Sequence, residues 1–589
     1  MTKDWVLQAL PNGQPIPGRW NLPPVVVQLL QNRGISTPEA ARAFIDPQLR
    51  DLHPPDLLPG AREAATLIAT AVRRRQKIVL YGDYDVDGIT GVAVLWHVLR
   101  AAGVPPSFYV PHRLEEGYGL NSAAVRNIAA DGAALLVTVD CGIGSVDEAR
   151  VAAECGLPLI ITDHHTTTGV LPEAAAIAHP TVNGAYPNPA LCGAGVAFKV
   201  AWALGQELSG SDRVAPAYRQ MLMDLLPLVA LGTVADVVPL VGENRILARH
   251  GLAMLKSTNN PGLAALLESA GLAGANVSGY DAGFKLAPRL NAAGRMGHAR
   301  LAVEMLTRAD AGRAKEIALY LEEHNRARQS KERSIFRAAC EMIEERRLNS
   351  DAGRGIVLAS DKWHAGVIGI VASRIVERYC RPTVLIAIEN EVGQGSARSI
   401  PPFHMHDALA ACGEHLLQFG GHAMAAGLRI DAQHLDAFTT AFTKVANTRL
   451  TGADIRPKLR LDAEVSLEQL DLTTVQAMLN LGPFGPGNPT PRLSTGWVEL
   501  AGEPRCVGKG GEHLSATFRE GSVRLRSIGF GKASLEQPLK ESRRCRLAFE
   551  PTINDFNNHR TVEMQVLDMQ FPSGANGPAP TADDGPSLL

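Results

Sequence analysis

The sequence predicts an α/β protein of several domains that ends in a β-rich domain, and three features of its hydrophobic pattern predict this. From residue 62 to about 240, helical patterns alternate with short apolar runs: KIVLYGD (77–83), ALLVTVD (134–140) and LPLIITD (157–163). A second block of this kind covers about 354–447, and alternating strand patterns dominate after about 457. Runs of Val, Ile and Leu between helices are typical of a parallel sheet covered on both faces.

Size and composition narrow the class of protein. The 589 residues exceed one compact core, so we expect about two to four domains. Hydrophobic residues make up 46% and charged residues 20%, which is typical of a soluble globular protein. We expect no membrane association, because no apolar run reaches the length of a span and the N-terminus lacks a signal-peptide pattern. The eight cysteines form no C-x-x-C pair, which predicts a reducing, cytoplasmic setting.

Changes of pattern along the chain predict its domain boundaries. The long helical pattern near 315–347 is apolar only at its ends and charged in the middle, as expected of an exposed connecting helix. The last residues are rich in Pro, Gly and Ser, which predicts disorder. We therefore predict an N-terminal cap (1–60), an α/β domain (61–310), a connecting helix (311–350), a smaller α/β domain (351–450), a β-barrel domain (455–570) and a disordered tail (571–589).

Aspartates follow the apolar runs. Four apolar segments end on Asp83, Asp140, Asp163 and Asp236, and the first loop adds Asp85 and Asp87. Carboxyl ends of parallel strands meet at one edge of a sheet, where ligands bind, so we predict that these carboxylates lie close together. His164 and His165, which follow Asp163 directly, are predicted to join them.

Helix capping is the alternative explanation for any one of these aspartates, and adjacent histidines are more often ordinary surface or core residues. Capping does not account for three acids within residues 83–87. Crowded carboxylates raise one another's pKa values unless cations neutralise them. Oxygen-rich ligands with one or two imidazoles favour Mn²⁺ or Mg²⁺ over zinc. Two such ions can activate a water and stabilise a leaving oxygen, so we predict a two-metal phosphoesterase.

The order of the motifs resembles that of a known family. DYDVDG (83–88), VDCG (139–142), DHH (163–165) and LGTVADVVPL (231–240) resemble the four motifs of the DHH phosphoesterases. Further segments, from about residue 60 to 570, resemble the RecJ family of bacterial single-stranded-DNA exonucleases: PHRLEEGYGLN (111–121), FKLAPRLNAAGRM (284–296), WHAGVIGIVASR (363–374), GSARS (395–399), FGGHAMAAG (419–427) and LGPFGPGNPTP (481–491). The resemblance implies a DHH domain, a DHHA1 domain and a C-terminal OB-fold.

The resemblance also implies roles for individual residues. The metal ligands would be Asp85, Asp87, Asp140, His164 and Asp236, with Asp83 in or just behind this set. His165 would contact the scissile phosphate or assist proton transfer, and Asp163 would orient a histidine. The implied DNA or phosphate contacts are Arg113, Tyr118, Arg289, Asn291, Arg295, Ser396, Arg398, Gly420, Gly421 and His422. For Gly420–His422 an ordinary turn is the alternative, and for the arginine-rich segment a solvated surface.

The activity implied by the resemblance is 5′→3′ digestion of single-stranded DNA to 5′-mononucleotides with Mn²⁺ or Mg²⁺, in recombination and repair. It further implies a monomer that works with single-strand-binding protein and a RecQ-type helicase. One alternative is a DHH enzyme for short oligoribonucleotides, cyclic dinucleotides or pyrophosphate, but such relatives lack the β-rich region after about 455. A non-enzymatic scaffold is the other alternative, and the presence of every motif acid argues against it.

Overall fold

The computed structural model describes residues 3–9, 20–112, 116–117, 119–167, 169–182, 184, 186–295, 298–350, 353–556 and 559–572. Arg113, Tyr118 and all of the predicted tail beyond residue 572 lie outside the described residues. The chain divides into two compact units, one made of 7–322 with 461–589 and the other of 1–6 with 323–460. No helix in the described ranges is both long and apolar enough to cross a membrane.

The first α/β block alternates strands and helices as the sequence pattern predicts. From the N-terminus the elements are β1 (Asp4–Leu7), α1 (Pro24–Asn32), α2 (Pro38–Ile45), α3 (Ala61–Arg73), β2 (Ile78–Gly82), α4 (Val86–Ala101), β3 (Ser107–Tyr109), α5 (Ser122–Ala130), β4 (Leu135–Val139), α6 (Val146–Glu154), β5 (Leu159–Thr162), β6 (Ala176–Ala178), α7 (Gly193–Ser209), α8 (Pro216–Ala235), α9 (Gly242–Leu255), α10 (Pro261–Ser269), a π-helical turn (Asp281–Leu286), α11 (Ala287–Arg295) and α12 (Ala299–Thr307).

Five of these strands form a parallel sheet in the order β3-β2-β4-β5-β6. Side chains alternate between its two faces. Ile78 and Leu80 of β2 pack with α3, α4 and α7, whereas Val79 and Tyr81 pack with α5 and α6. Both faces are buried, which explains why the strands read as continuous apolar runs and confirms the predicted parallel sheet.

The segment that ends on Asp236 is a helix. The prediction that Asp236 follows a strand is wrong, because residues Pro216–Ala235 form α8. Residues from Leu225 to Thr233 are all buried, and α8 packs against α4, α7 and α9. A helix buried on every side shows no amphipathic period, so its short apolar stretch cannot be told from a buried strand by pattern.

The predicted connecting helix is α13 (Ala311–Glu345), which runs from the first unit into the second. Its ends are apolar, as the sequence predicts: Ile317 and Leu321 join the core of the first unit, and Ile335 and Ile343 join a core of the second. The second unit continues with β7 (Ile356–Ser360), α14 (Ala365–Tyr379), β8 (Thr383–Glu389), β9 (Val392–Arg398), α15 (Met405–Ala410), β10 (Gln418–Gly421), β11 (Ala425–Asp431), α16 (Leu435–Arg449) and β12 (Lys458–Leu461).

The second unit contains a mixed sheet in the order β10-β11-β9-β8-β7. Strands β7 and β8 are parallel, and the other neighbours are antiparallel. Val367 and Val371 of α14 lie in the core on one face of the sheet, and Phe438 and Phe442 of α16 lie in the core on the other. A separate two-stranded pairing joins β1 to β12.

The C-terminal part of the chain is strand-dominated, as predicted. Its elements are β13 (Ala463–Val465), α17 (Leu472–Leu479), β14 (Leu493–Thr495), β15 (Val498–Leu500), β16 (Arg505–Val507), β17 (His513–Glu520), β18 (Val523–Gly529), α18 (Glu536–Ser542), β19 (Arg544–Phe556) and β20 (His559–Gln570). Strands β19, β15, β17, β18 and β20 pair in that order, and β20 pairs back onto β19. These five strands therefore form a closed barrel, and closure removes exposed sheet edges. The predicted β-barrel is confirmed.

The helices before residue 46 share a hydrophobic core with this barrel. Val26, Leu29 and Leu30 of α1 belong to the same buried cluster as Phe518 and Leu547 of the barrel strands. Polar contacts reinforce the packing, for example Nε of Arg33 donating to Oδ1 of Asn488 at 2.8 Å. The beginning and the end of the chain are therefore parts of one packed structure in the first unit.

Arg245 of α9 joins three segments of the first unit. Its side chain is buried, its Nε donates to the Phe44 carbonyl at 2.8 Å, and its Nη2 donates to the Gly482 carbonyl at 2.8 Å. The guanidinium carbon also lies 3.8 Å from the centre of the Phe44 ring. Burial, together with the charges of Arg249 and Arg33, lowers the pKa of Arg245 to about 9. The guanidinium thus connects the α/β block, the N-terminal helices and the barrel domain.

We predict that Arg245→Leu lowers the melting temperature and speeds proteolysis between residues 461 and 500. Each buried carbonyl left without its donor costs about 1–3 kcal/mol. Thermal unfolding and limited trypsin digestion measure the two effects. The control is Arg219→Leu, at an exposed arginine of α8, which should melt like the parent. Equal melting of both variants and the parent would contradict this role for Arg245.

Candidate metal centre

The loop between β2 and α4, together with the first turn of α4, presents the first three aspartates. Oδ1 of Asp85 caps α4 by accepting hydrogen bonds from the N–H groups of Asp87 (2.9 Å) and Gly88 (3.2 Å). Oδ2 of Asp85 makes no hydrogen bond with the described residues. Asn291 of α11 holds the same loop, since its Oδ1 accepts from the N–H of Val86 at 3.2 Å. Helix capping therefore uses only one of the two Asp85 oxygens.

Asp87 is buried at the N-terminus of α7. Its Oδ2 accepts from the N–H of Gly193 at 2.6 Å and its Oδ1 from the N–H of Ala194 at 2.9 Å. A helix N-terminus stabilises a negative charge in this position. A Cβ atom at Gly193 would lie 2.5 Å from Oδ1 of Asp140, and one at Gly232 would lie 2.6 Å from Oδ1 of Asp87. Only glycine at 193 and 232 leaves room for both carboxylates.

Two residues of the site have left-handed backbone conformations that non-glycine residues rarely adopt. Asp140 has φ of 64°, and Val237, directly after Asp236, has φ of 63°. For a β-branched residue such as Val237 this conformation is strained. Strain of this kind persists where the surrounding structure imposes it, and it concentrates at functional sites.

His164 lies where the aspartates converge. Its Nε2 is 3.1 Å from Oδ1 of Asp140, 3.5 Å from Oδ2 of Asp236 and 3.7 Å from Oδ2 of Asp87. Burial lowers the pKa of His164, which favours the neutral imidazole that binds metals. The structure thus brings together all six residues that the sequence singles out as ligands. They fall in three groups that share Asp140 and His164: Asp83–Asp85–Asp140, Asp87–His164–Asp236 and Asp140–His164–His165.

The electrostatics of this cluster fit a divalent cation. Burial, followed by the charge of Asp87, raises the pKa values of Asp85 and Asp140 above their usual range. Burial and the charges of Asp87 and Asp85 likewise raise the pKa of Asp236 to about 9. Nε2 of His164 and Oδ2 of Asp236 are buried and form no hydrogen bond within the described structure. Carboxylates that repel each other around one imidazole suit Mn²⁺ or Mg²⁺, which removes the repulsion.

Asp163 stands behind the cluster and orients the two histidines. Its Oδ2 accepts from the N–H of Ile143 at 2.9 Å, and its Oδ1 accepts from the N–H of His164 at 2.7 Å and from Nδ1 of His165 at 2.8 Å. Burial opposes a charge on His165, but this hydrogen bond and the nearby carboxylates raise its pKa to about 9. The Asp163 hydrogen bond thus orients the His165 ring, whose side chain is 43% exposed.

His179 is a residue of the site that the sequence analysis missed. It is completely buried after β6, its Nδ1 accepts from the N–H of Thr181 at 3.1 Å, and its Nε2 lies 2.9 Å from the carbonyl oxygen of His165. Because Nδ1 accepts, Nε2 carries the proton and donates it to that carbonyl. A lone histidine in the sequence AHPT gives no signal of this role, since the contact depends on the loop between β5 and β6.

Two of the predicted DNA contacts of the first unit, Arg289 and Asn291, have structural partners. Nε of Arg289 lies 2.8 Å from Oε2 of Glu322, with both side chains largely buried, and Asn291 holds the loop before α4. Arg295 is the last residue of α11, and its side chain lies outside the described structure, as do Arg113 and Tyr118. Contact of these residues with DNA stays a prediction.

The predicted contacts of the second unit share one region of the mixed sheet. Ser396 and Arg398 project from the same face of β9, and Nη1 of Arg398 donates to Oγ of Ser396 at 3.1 Å. Burial lowers the pKa of Arg398, and no carboxylate of the described structure pairs with it. Gly420 and Gly421 end β10, and the N–H of His422 donates to the Ala425 carbonyl in the turn to β11. The GGH segment is thus a hairpin turn beside Ser396 and Arg398.

Comparison with known proteins places this geometry in a family. Family models match residues 77–233 (DHH family, N-terminal domain), 352–448 (DHHA1 domain) and 461–568 (RecJ OB domain). The single-stranded-DNA-specific exonuclease RecJ of Bacillus subtilis is 38% identical over 551 residues, which are 93% of this chain and 68% of that protein. The Escherichia coli protein of the same name is 34% identical over 565 residues, which are 94% of this chain and 96% of that protein.

A solved structure supports the same family. The crystal structure of RecJ in complex with Mn²⁺ from Thermus thermophilus matches with a TM-score of 0.81 and 31% identity, over 97% of this chain and 80% of that chain. A parallel sheet that gathers aspartates and a DHH triplet at one edge defines a metal-dependent phosphoesterase of the DHH class. Within that class, the chain belongs to the RecJ family. The resemblance found in the sequence, and the DHH, DHHA1 and OB domains it implies, are confirmed.

We predict that His179→Leu lowers both stability and phosphoesterase activity. The change leaves the His165 carbonyl and the Thr181 N–H without partners, which costs about 1–3 kcal/mol for each buried group. It also releases the loop that carries His164 and His165. Thermal unfolding and turnover at saturating metal measure the two effects. Thr181→Ser keeps both the backbone N–H and the hydroxyl near Nδ1 of His179, so it should behave like the parent. Full activity of His179→Leu would show that the contact is dispensable.

Proposed function

We propose that this protein is a 5′→3′ exonuclease specific for single-stranded DNA that requires Mn²⁺ or Mg²⁺ and releases 5′-mononucleotides. The observation that carries the proposal is the convergence of Asp87, Asp140 and Asp236 on Nε2 of His164, at 3.1–3.7 Å. The RecJ relatives are named single-stranded-DNA-specific exonucleases, and the matched structures hold Mn²⁺ or Mg²⁺. Two ions are proposed, because two of the ligand groups, Asp83–Asp85–Asp140 and Asp87–His164–Asp236, have no member in common.

Different residues of the metal centre have different proposed roles. When bound, the two ions activate a water and stabilise the leaving oxygen of the phosphodiester. Asp83, Asp85 and Asp140 would hold one ion, and Asp87, His164 and Asp236 the other. His165, whose side chain is partly exposed, is proposed to contact the scissile phosphate or to assist proton transfer. Asp163 fixes the ring of His165 through its Nδ1, so the ring is oriented before substrate arrives.

Substrate binding is proposed for the mixed sheet of the second unit. Arg398 is partly buried and has no carboxylate partner in the described structure, so a phosphate would complete its environment. Ser396, whose hydroxyl accepts a hydrogen bond from Arg398, and the turn Gly420–His422 are proposed to contact the same strand of DNA. Arg113, Tyr118, Arg289, Asn291 and Arg295 remain candidates from the family resemblance.

The principal alternative is a DHH enzyme for short oligoribonucleotides or cyclic dinucleotides. The match of residues 461–568 to the RecJ OB domain favours the exonuclease, because OB-folds commonly bind single strands. The wider setting is also part of the proposal: a cytoplasmic monomer that acts with single-strand-binding protein and a RecQ-type helicase. Co-purification of those two proteins with the full chain would test the partners.

We expect the purified protein with Mn²⁺ to digest a 5′-phosphorylated single strand to 5′-mononucleotides, and a streptavidin block at the 5′ end to stop it. Asp85→Asn keeps an oxygen to cap α4 but removes the charge of the ligand. Its activity should fall by more than about 100-fold, since even the outer partners of metal ligands are worth about 10–100-fold. Product analysis by chromatography and gel checks both expectations.

The matched control for this assay is Asp147→Asn, which changes a surface aspartate in the first turn of α6. That variant should digest DNA like the parent, and a block at the 3′ end should leave digestion intact. If Asp85→Asn keeps full activity, or if a blocked 5′ end is digested as fast as a free one, the proposed function is wrong.

We predict that Arg398→Ala weakens DNA binding by about 10-fold or more, because hydrogen bonds to charged groups contribute about 1.5–3 kcal/mol. Mn²⁺ affinity should be unchanged, since Arg398 belongs to none of the ligand groups. Fluorescence anisotropy with labelled single strands and calorimetric titration with Mn²⁺ separate the two properties. Arg346→Ala, at an exposed arginine just after α13, is the control; unchanged DNA affinity of Arg398→Ala would exclude the contact.

A further inference from the structure

An open cavity of about 280 Å³ lies on the mixed sheet of the second unit. Its lining includes the polar residues Gln394, Gln418 and Arg429 and the glycines Gly420 and Gly427. It is separate from the metal-ligand residues, which all belong to the first unit. No part of the proposed chemistry uses its polar side chains.

The three polar residues lie side by side on adjacent strands. Gln418 of β10 pairs with Arg429 of β11, and Arg429 pairs with Gln394 of β9, so the three form one row across the sheet. Neighbouring strands are about 4.7–4.9 Å apart, so these side chains reach a common ligand. All three are exposed, whereas Leu428 and Ile430, which point to the other face, are buried in the core.

This row is continuous with the proposed phosphate contacts. The next row on the same face is Gly420, Gly427 and Ser396, and Arg398 follows two residues further along β9. Rows two residues apart are separated by about 6.4–6.8 Å along the strand. Because Gly420 and Gly427 carry no side chains, the sheet face beside Ser396 stays open to a ligand that runs along the strands.

The charge of Arg429 lacks compensation. Its guanidinium forms no ion pair within the described structure, whereas Arg374 and Arg378 of α14 pair with Glu332 and Glu344. A phosphate suits a guanidinium at such a position, since the two groups match in charge and in bidentate geometry. The amides of Gln394 and Gln418 each offer a donor and an acceptor, the combination that reads the edge of a base.

We propose that Gln394, Gln418 and Arg429 form a second nucleotide subsite. Arg429 binds a backbone phosphate, and the two amides bind the base edge or sugar of the same nucleotide. The nucleotide held there neighbours the one at Ser396 and Arg398 on a single strand. The subsite rests on the proposed function, because its ligand is part of the single-stranded substrate. The subsite adds a contact between the second unit and the strand. It therefore strengthens DNA binding but takes no part in bond cleavage.

The test is the salt dependence of strand binding by the full-length protein. A labelled, 5′-phosphorylated single strand is titrated by fluorescence anisotropy over a series of KCl concentrations, in EDTA so that no bond is cleaved. Arg429→Ala should raise the Kd about tenfold, and the slope of log affinity against log salt should become shallower by about 0.7, the value for one phosphate contact on a single strand. Gln394→Ala should raise the Kd while leaving the slope unchanged, because it removes no charge.

Arg429→Lys keeps the charge, so its slope should match that of the parent, while Arg346→Ala is the control for loss of an exposed arginine elsewhere in the unit. The subsite is excluded if Arg429→Ala binds with the Kd and slope of the parent. If the parent protein neither binds nor digests single-stranded DNA, the proposed function fails instead. If the parent digests single-stranded DNA but Arg429→Ala binds it as tightly as the parent does, only the proposed subsite is wrong.

Discussion

The mutual repulsion of buried carboxylates is the constraint on which the rest of the structure depends. Asp87, Asp140 and Asp236 surround the His164 imidazole, and Asp83 and Asp85 lie beside Asp140. Burial raises the pKa values of Asp85, Asp140 and Asp236. Local hydrogen bonds and glycines offset the free-energy cost of burying these charges together. The N-terminus of α7 donates two N–H groups to Asp87, the first turn of α4 donates two to Asp85, and glycines at 193 and 232 leave the space that the carboxylates need.

The second unit has the complementary problem, because two of its arginines have no anionic partner among the described residues. Arg398 is partly buried beside Ser396, and Arg429 is exposed in the next part of the same sheet face. Divalent ions would neutralise the aspartates of the first unit, and the phosphates of a bound strand would neutralise the arginines of the second. The distribution of charge between the two units is therefore a physical reason for a nucleic-acid substrate, even though the net charge of the chain is only −2.

Support for the catalytic loops comes from residues outside the proposed set of metal ligands. Asp163 holds the ring of His165, His179 holds its carbonyl, and Asn291 holds the loop before α4. Each contact fixes a backbone segment or a tautomer, so the ligand atoms are positioned by hydrogen bonds as well as by the sheet. On a larger scale, Arg245 joins the α/β block to the N-terminal helices and the barrel through carbonyl oxygens.

Local patterns in the sequence determined the parallel sheet, the connecting helix, the barrel and the identity of the acids and histidines at the sheet edge. The sheet, the helix and the barrel follow from hydrophobic periodicity, and the shared site follows from the rule that parallel strands end at one edge of a sheet. The periodicity and the residues that follow each strand can both be read from short stretches of chain. Tertiary structure alone decided that Asp236 follows a helix, that His179 meets the DHH loop, and that α1 shares a core with strands more than 400 residues away. Such contacts are set by packing between distant segments, and a buried helix or a lone histidine carries no local mark of its partner.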